Sequence, residues 1–256
     1  MLLTGATGGI GGATARALAA RGARVILTGR RSEPLEALAA ELGGRAIAAD
    51  LAEPDAAAQL VADAGHVDVL VANAALPASG DLTSFSVGEI DRAVAVNLRA
   101  PIVLARLLAP AMTERRSGHL LFVSSLAGKA GTPLASLYSA TKFGLRGFAL
   151  GLRQDLAPHG VGVSCVFPGF VRGAGMFADS GAQLPPGVGT STPEEVAAGI
   201  VRAIERDRGE VDVAPLALRT GVRIGALAPG LAATVQGRLG STKVAEAIGA
   251  GQRDKR

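Results

Sequence analysis

The chain has 256 residues, 48% of them hydrophobic and 19% charged, with one cysteine, no tryptophan and a formal net charge of +4. That content is ample for one packed domain and excludes global disorder. A single thiol, Cys165, excludes an intramolecular disulfide framework and a cysteine-based zinc cluster. Residues 1–201 carry 16 basic and 16 acidic side chains, whereas residues 202–256 carry ten and six, so the whole excess lies at the C-terminal end. The electroneutral body, with 3% aromatic residues, argues against nucleic-acid binding. No stretch matches a signal peptide or an uninterrupted apolar span, so the expected location is cytoplasmic.

Short apolar runs alternate with longer Ala/Leu/Arg stretches. The runs predict strands at 1–4, 24–28, 45–49, 67–71, 119–124, 161–167 and 210–213. Helices are predicted at 12–22, 33–42, 54–64, 87–113, 136–157 and 193–207. Ser86 with Glu89, and Thr192 with Glu195, form capping boxes, the second followed by Pro193 at the first helical position. This alternation predicts an α/β fold: a doubly wound, parallel seven-stranded sheet of Rossmann type, helices on both faces, in one domain over 1–213. The first run is short for a central strand; either the sheet tolerates this or a few residues precede Met1. Residues 173–192, rich in Gly, Ser and Pro, read as a long loop of lid type.

The first strand runs into TGATGGIG at positions 4–11. Glycines here let the backbone turn sharply and approach a pyrophosphate seated on the helix N-terminus. Gly5, Gly9 and Gly11 give one spacing of the fingerprint, and Gly5, Gly8 and Gly11 give another; Thr7 and Ile10 complete the turn. The second strand ends in Thr28-Gly29-Arg30-Arg31. A carboxylate there would hold the ribose hydroxyl of NAD; two guanidiniums suit a 2′-phosphate instead. NADP is therefore expected over NAD.

Tyr138 and Lys142 stand four apart and share a helix face. An ammonium beside the phenol is expected to lower its pKa and make it a general acid or base. Ser125 ends the fifth strand, 13 residues before Tyr138; Ser124 points to the other strand face. The three histidines, 66, 119 and 159, make no ligand set, and no metal is expected.

These motifs, in this order, resemble the short-chain dehydrogenase/reductase family from residue 1 to about 213. The resemblance implies a catalytic tetrad of Asn97, Ser125, Tyr138 and Lys142, with Lys142 also on the nicotinamide ribose and Asn97 holding a water that links Lys142 to solvent. It places Asp50 and Leu51 at the adenine, and Asn73 and Ala74 in a variant of the family's NNAG that reads ANAA here. Pro168 and Gly169 match its PG motif, and Val171 is expected near the carboxamide, where Gly173 replaces a frequent threonine. It implies hydride transfer between the cofactor and a small carbonyl or secondary alcohol, and a homodimer or homotetramer. Leu126, Leu134, Phe170, Met176, Phe177 and Leu184 are expected to line a lipophilic pocket. Three alternatives stay open: a 3-oxoacyl-thioester reductase, an epimerase or dehydratase on the same tetrad, and a catalytically silent NADP-binding protein. Residues 214–256 carry seven basic and two acidic side chains. They read as a basic, apolar extension on or near the substrate site, as a subunit arm, or as a peripheral membrane contact.

Overall fold

A computed structural model describes residues 1–185, 188–228, 230 and 241–253. Seven parallel strands form one sheet in the order β3-β2-β1-β4-β5-β6-β7. They are β1 (Leu2–Thr4), β2 (Ile26–Gly29), β3 (Arg45–Ala48), β4 (Val69–Ala72), β5 (His119–Val123), β6 (Gly162–Pro168) and β7 (Glu210–Val213). Strand order reverses at β1 and β4, and this leaves a crevice at their carboxyl ends. The short β1 is held on both sides, with Leu2 opposite Ile26 and Leu70.

The helices are α1 (Gly9–Ala19), α2 (Ser32–Leu42), α3 (Ala56–Ala64), α4 (Val87–Val94), α5 (Ala100–Glu114), α6 (Ser136–Leu156), α7 (Met176–Ser180), α8 (Pro193–Glu205), α9 (Leu216–Leu227) and α10 (Ser241–Gly251). Alternation along the strands divides the core between the two faces. Leu2, Leu70, Leu120 and Phe122 pack with Leu60 of α3, Leu104 of α5 and Leu145 of α6. Leu3, Leu27, Val71 and Leu121 pack with Leu18 of α1, Leu35 of α2 and Ile200 of α8. Both capping boxes form: the amide of Glu89 donates to Ser86 Oγ at 3.2 Å and that of Glu195 to Thr192 Oγ1 at 3.1 Å.

The structure refines four expectations. First, α1 begins at Gly9, inside the glycine turn, where the amide of Gly12 already donates to Gly8 O at 2.8 Å. Second, the helix expected over 87–113 runs unbroken from Val87 to Glu114, but it carries a π-helical segment at Ala95–Arg99 between α4 and α5. Third, the loop at 173–192 contains α7 and is pinned at its base: Val171 bridges Ser191, and the amide of Arg172 donates to Ser191 O at 2.9 Å. Fourth, β3 is only partly buried, not an apolar run covered on both sides, because it is the edge strand. The combined helix Val87–Glu114 is long and apolar enough to cross a membrane, yet Leu104, Leu108 and Met112 are buried in the domain core.

Candidate active site

The glycine turn is shaped by close approaches. Gly5 has φ +67°, and a Cβ on it would lie 2.8 Å from Ala74 Cα. A Cβ on Gly11 would lie 2.1 Å from the carbonyl oxygen of Gly5, so the helix folds directly onto the turn. Thr4, buried at the end of β1, accepts from the amides of Asn73 and Ala74 at 3.0 and 2.9 Å. The Asn73 side chain donates back to the carbonyls of Thr4 and Gly5. The ends of β1 and β4 are thus stitched together under the turn, and the small side chains at Ala72 and Ala74 make room for it. No side chain caps α1 and no acidic residue lies in its first turn. Those N–H groups suit the phosphates of a dinucleotide.

Arg31 Nη2 donates to the carbonyl of Thr7 at 3.2 Å, which brings the arginine pair alongside the turn. Asp50 is committed within the protein: it accepts from the amide of Ala52 and from Arg92 Nη2 at 2.7 Å. Burial pushes its carboxyl up, but the Ala52 N–H, the Arg92 guanidinium and the charge of Arg30 together hold it below the ordinary value. Leu51 is buried in the core. Arg92, on α4, is the partner that sequence reasoning missed; a single arginine in an exposed helix carries no signal of a contact 42 residues away.

On the other side of the crevice, Ser125 follows β5 and caps a 3₁₀ turn, Leu126–Gly128, by accepting from the amide of Ala127 at 3.2 Å. Its hydroxyl acts on the Tyr138 phenol, drawing the phenol's pKa down. Tyr138 packs against a small cluster of Ala78, Phe85, Ala93 and Leu137, and its amide donates to Ala78 O. Lys142 is 2% exposed; its Nζ donates to Val123 O at 3.0 Å and lies 5.6 Å from the centroid of the Tyr138 ring. Ser124 does point away, and it donates from Oγ to the carbonyl of Lys142, joining β5 to α6.

One expectation changes here. Burial pushes the Tyr138 phenol up, and the Ser125 hydroxyl only partly offsets it; the expected lowering by Lys142 does not dominate among the protein's own groups. Burial likewise lowers the Lys142 ammonium to about 8. The Asn97 side chain, fully buried in the π-turn, is occupied by the backbone of Leu76: Oδ1 accepts from its amide at 2.7 Å and Nδ2 donates to its carbonyl at 3.0 Å. It fixes the segment leaving β4.

Pro168 ends β6, and the amide of Gly169 donates to Val213 O at 3.0 Å. Val171 is buried at the root of the loop. Gly173 has φ +80°, a conformation in which the family's threonine would be strained. Beyond it, Ala174 rests on the glycine turn: a Cβ on Gly9 would meet Ala174 Cβ at 2.2 Å. Phe170 and Phe177 lie 5.0 Å apart between centroids with their rings tilted by 53°, and Leu126 is buried. The C-terminal helix α10 packs on α7, with Gln252 Nε2 donating to Met176 O at 3.0 Å. Cys165 is buried, and burial raises its thiol to about 12, so it is inert at neutral pH. Among the described residues no group of three or more metal-ligating side chains converges.

The profile of the family described as short chain dehydrogenase matches residues 1–185. The chain is 39% identical over 222 residues to the ketoacyl reductase HetN of Nostoc sp., covering 83% of this chain and 77% of that protein. A solved short-chain dehydrogenase from Sphingobium yanoikuyae in complex with NADPH superposes with a TM-score of 0.78 at 28% identity, over 91% of this chain and 94% of the other. A metagenomic short-chain oxidoreductase in complex with NADP superposes with a TM-score of 0.67 at 36% identity, over 83% and 94%. The glycine turn, the seven-stranded sheet and these matches place the chain in the short-chain dehydrogenase/reductase family, as an oxidoreductase that uses a nicotinamide cofactor.

Proposed function

We propose that the protein is an NADPH-dependent carbonyl reductase that also runs in reverse on secondary alcohols. The observation that carries this reading is the buried Lys142 ammonium, held by Val123 O and 5.6 Å from the centroid of the Tyr138 ring, with Ser125 drawing the same phenol's pKa down. The bound nicotinamide supplies or accepts the hydride. Tyr138 donates its phenolic proton to the carbonyl oxygen, and a phenol kept protonated by burial suits that direction. Ser125 donates to the same oxygen and orients it. Lys142, its ammonium fixed by Val123 O, stabilises the phenolate left behind. Asn97 keeps the β4 exit segment in place.

Arg30 and Arg31, with no carboxylate at the end of β2, favour NADPH over NADH, as do the NADPH and NADP bound in the two solved relatives. The paired rings of Phe170 and Phe177, with α10 behind α7, favour a lipophilic substrate covered by the loop and the tail. A second reading, reduction of a 3-oxoacyl thioester, is favoured by the likeness to a ketoacyl reductase. Leu107 on α5 and Phe143 and Leu150 on α6 are exposed apolar residues suited to self-association, which sedimentation would read.

The test is a carbonyl panel with NADPH and NADH, followed at the nicotinamide absorbance. The reading expects turnover of bulky apolar ketones and a strong NADPH preference. Turnover confined to acyl thioesters selects the second reading. NADPH binding with no turnover on any carbonyl defeats both.

A further inference from the structure

Beyond the tetrad, Lys129, Glu210, Asp212 and Arg146 form an ion-pair network, with Arg223 at its exposed edge 3.5 Å from Asp212 Oδ2. Lys129, at the end of the turn that starts at Ser125, is almost buried. Its Nζ lies 2.6 Å from Asp212 Oδ1, 3.0 Å from Glu210 Oε2 and 3.9 Å from the centroid of the Phe167 ring. Glu210 reaches the other way with Oε1, 2.7 Å from Arg146 Nε. Lys129 is four residues beyond Ser125, and Arg146 is four beyond Lys142 on α6. One carboxylate on β7 therefore bridges the turn that begins with Ser125 and the helix that carries Tyr138 and Lys142.

The turn itself has little freedom to absorb a shift. The amides of Gly128 and Lys129 donate to the carbonyls of Ser125 and Leu126 at 2.8 and 2.9 Å. Gly128 lies flush on α6, where a Cβ would stand 2.7 Å from Lys142 O and 2.6 Å from Ser124 Oγ. A displacement at Lys129 is thus passed to Ser125. Burying an ammonium between carboxylates is costly, and apolar residues of equal volume stabilise such a place at least as well. What an ionic clamp adds is direction.

We propose that Glu210 and Lys129 are positioning residues: through Arg146 and the turn 125–129 they set the separation of the Ser125 hydroxyl from the Tyr138 phenol. The role in turnover rests on the carbonyl-reductase reading; the positioning itself does not.

The chain allows a test without substrate. Tyr138 is its only tyrosine and it has no tryptophan, so near-ultraviolet tyrosinate absorbance titrates that one phenol. Ser125→Ala removes the hydroxyl that draws the phenol's pKa down, so its ionisation moves to higher pH. Glu210→Gln and Lys129→Met are expected to move it the same way, to add nothing on the Ser125→Ala background, and to be rescued by Lys129→Arg. With a carbonyl substrate, both lower kcat about tenfold with little change in the KM for NADPH. Glu210→Gln, in the more exposed part of the clamp, keeps the test alive if Lys129→Met does not fold. A wild-type titration curve in Glu210→Gln, or an equal shift with and without Ser125, overturns the proposal. If the titrations behave as expected while the wild-type protein reduces no carbonyl, the positioning stands and the reductase reading fails.

Discussion

At the carboxyl ends of the strands the backbone is left open: the first turn of α1 has no side-chain cap, two arginines flank the glycine turn, and a lysine is buried beside a phenol. At the amino ends of the same strands, side chains are tied to structure. His119 Nε2 pairs with Ser164 Oγ at 2.8 Å, Arg153 grips Asp207 and the carbonyl of Val163, and Arg115 holds Val67 O. One sheet thus separates chemistry from anchorage.

That division can be broken by substitution. Tyr138→Phe should cut kcat about a thousandfold while NADPH binding, followed by fluorescence, stays near wild type. At the opposite end, burial lowers the His119 imidazole to about 4, against 6.5 in the unfolded chain. The unfolded state therefore binds the extra proton first, and stability falls as pH drops from about 6.5 toward 4. Urea unfolding across that window should show a loss on the order of a few kcal/mol, flattened in His119→Gln, with turnover at neutral pH unaffected. Replacing Arg30 and Arg31 together by alanine should weaken NADPH about thirtyfold, roughly 2 kcal/mol, and NADH much less. Equal weakening would mean that the pair does not read the 2′-phosphate. Arg153→Met should cost about 1 kcal/mol of stability with kcat unchanged, because its ion pair is half exposed. A large activity loss there would join the two ends of the sheet functionally.

What the sequence revealed follows the same line. Local signals were legible: glycine spacing, capping boxes, the four-residue step from Tyr138 to Lys142, and all seven strands to within about two residues. Contacts between distant residues were not. Nothing near Asn97 announces the π-turn, which is stabilised by the backbone of Leu76, 21 residues away. Neither Arg92 on Asp50 nor Glu210 between Lys129 and Arg146 has a periodic signature. The direction of the Tyr138 shift was missed because proximity to Lys142 could be read from spacing, whereas burial of the phenol depends on Ala78 and Phe85 arriving from elsewhere. Extended homogeneous stretches such as 216–227 show a helix only weakly, since glycine and arginine interrupt the apolar positions.

The central claim is hydride transfer to a carbonyl carbon at the Ser125–Tyr138 pair. The direct measurement uses NADPH deuterated at the transferable position of the nicotinamide ring, with an apolar ketone, and mass analysis of the alcohol formed. The account predicts one deuterium on the carbinol carbon in the wild-type product, and no labelled alcohol above background with Tyr138→Phe. Alcohol formed without the label, or labelled equally by the variant, would contradict it.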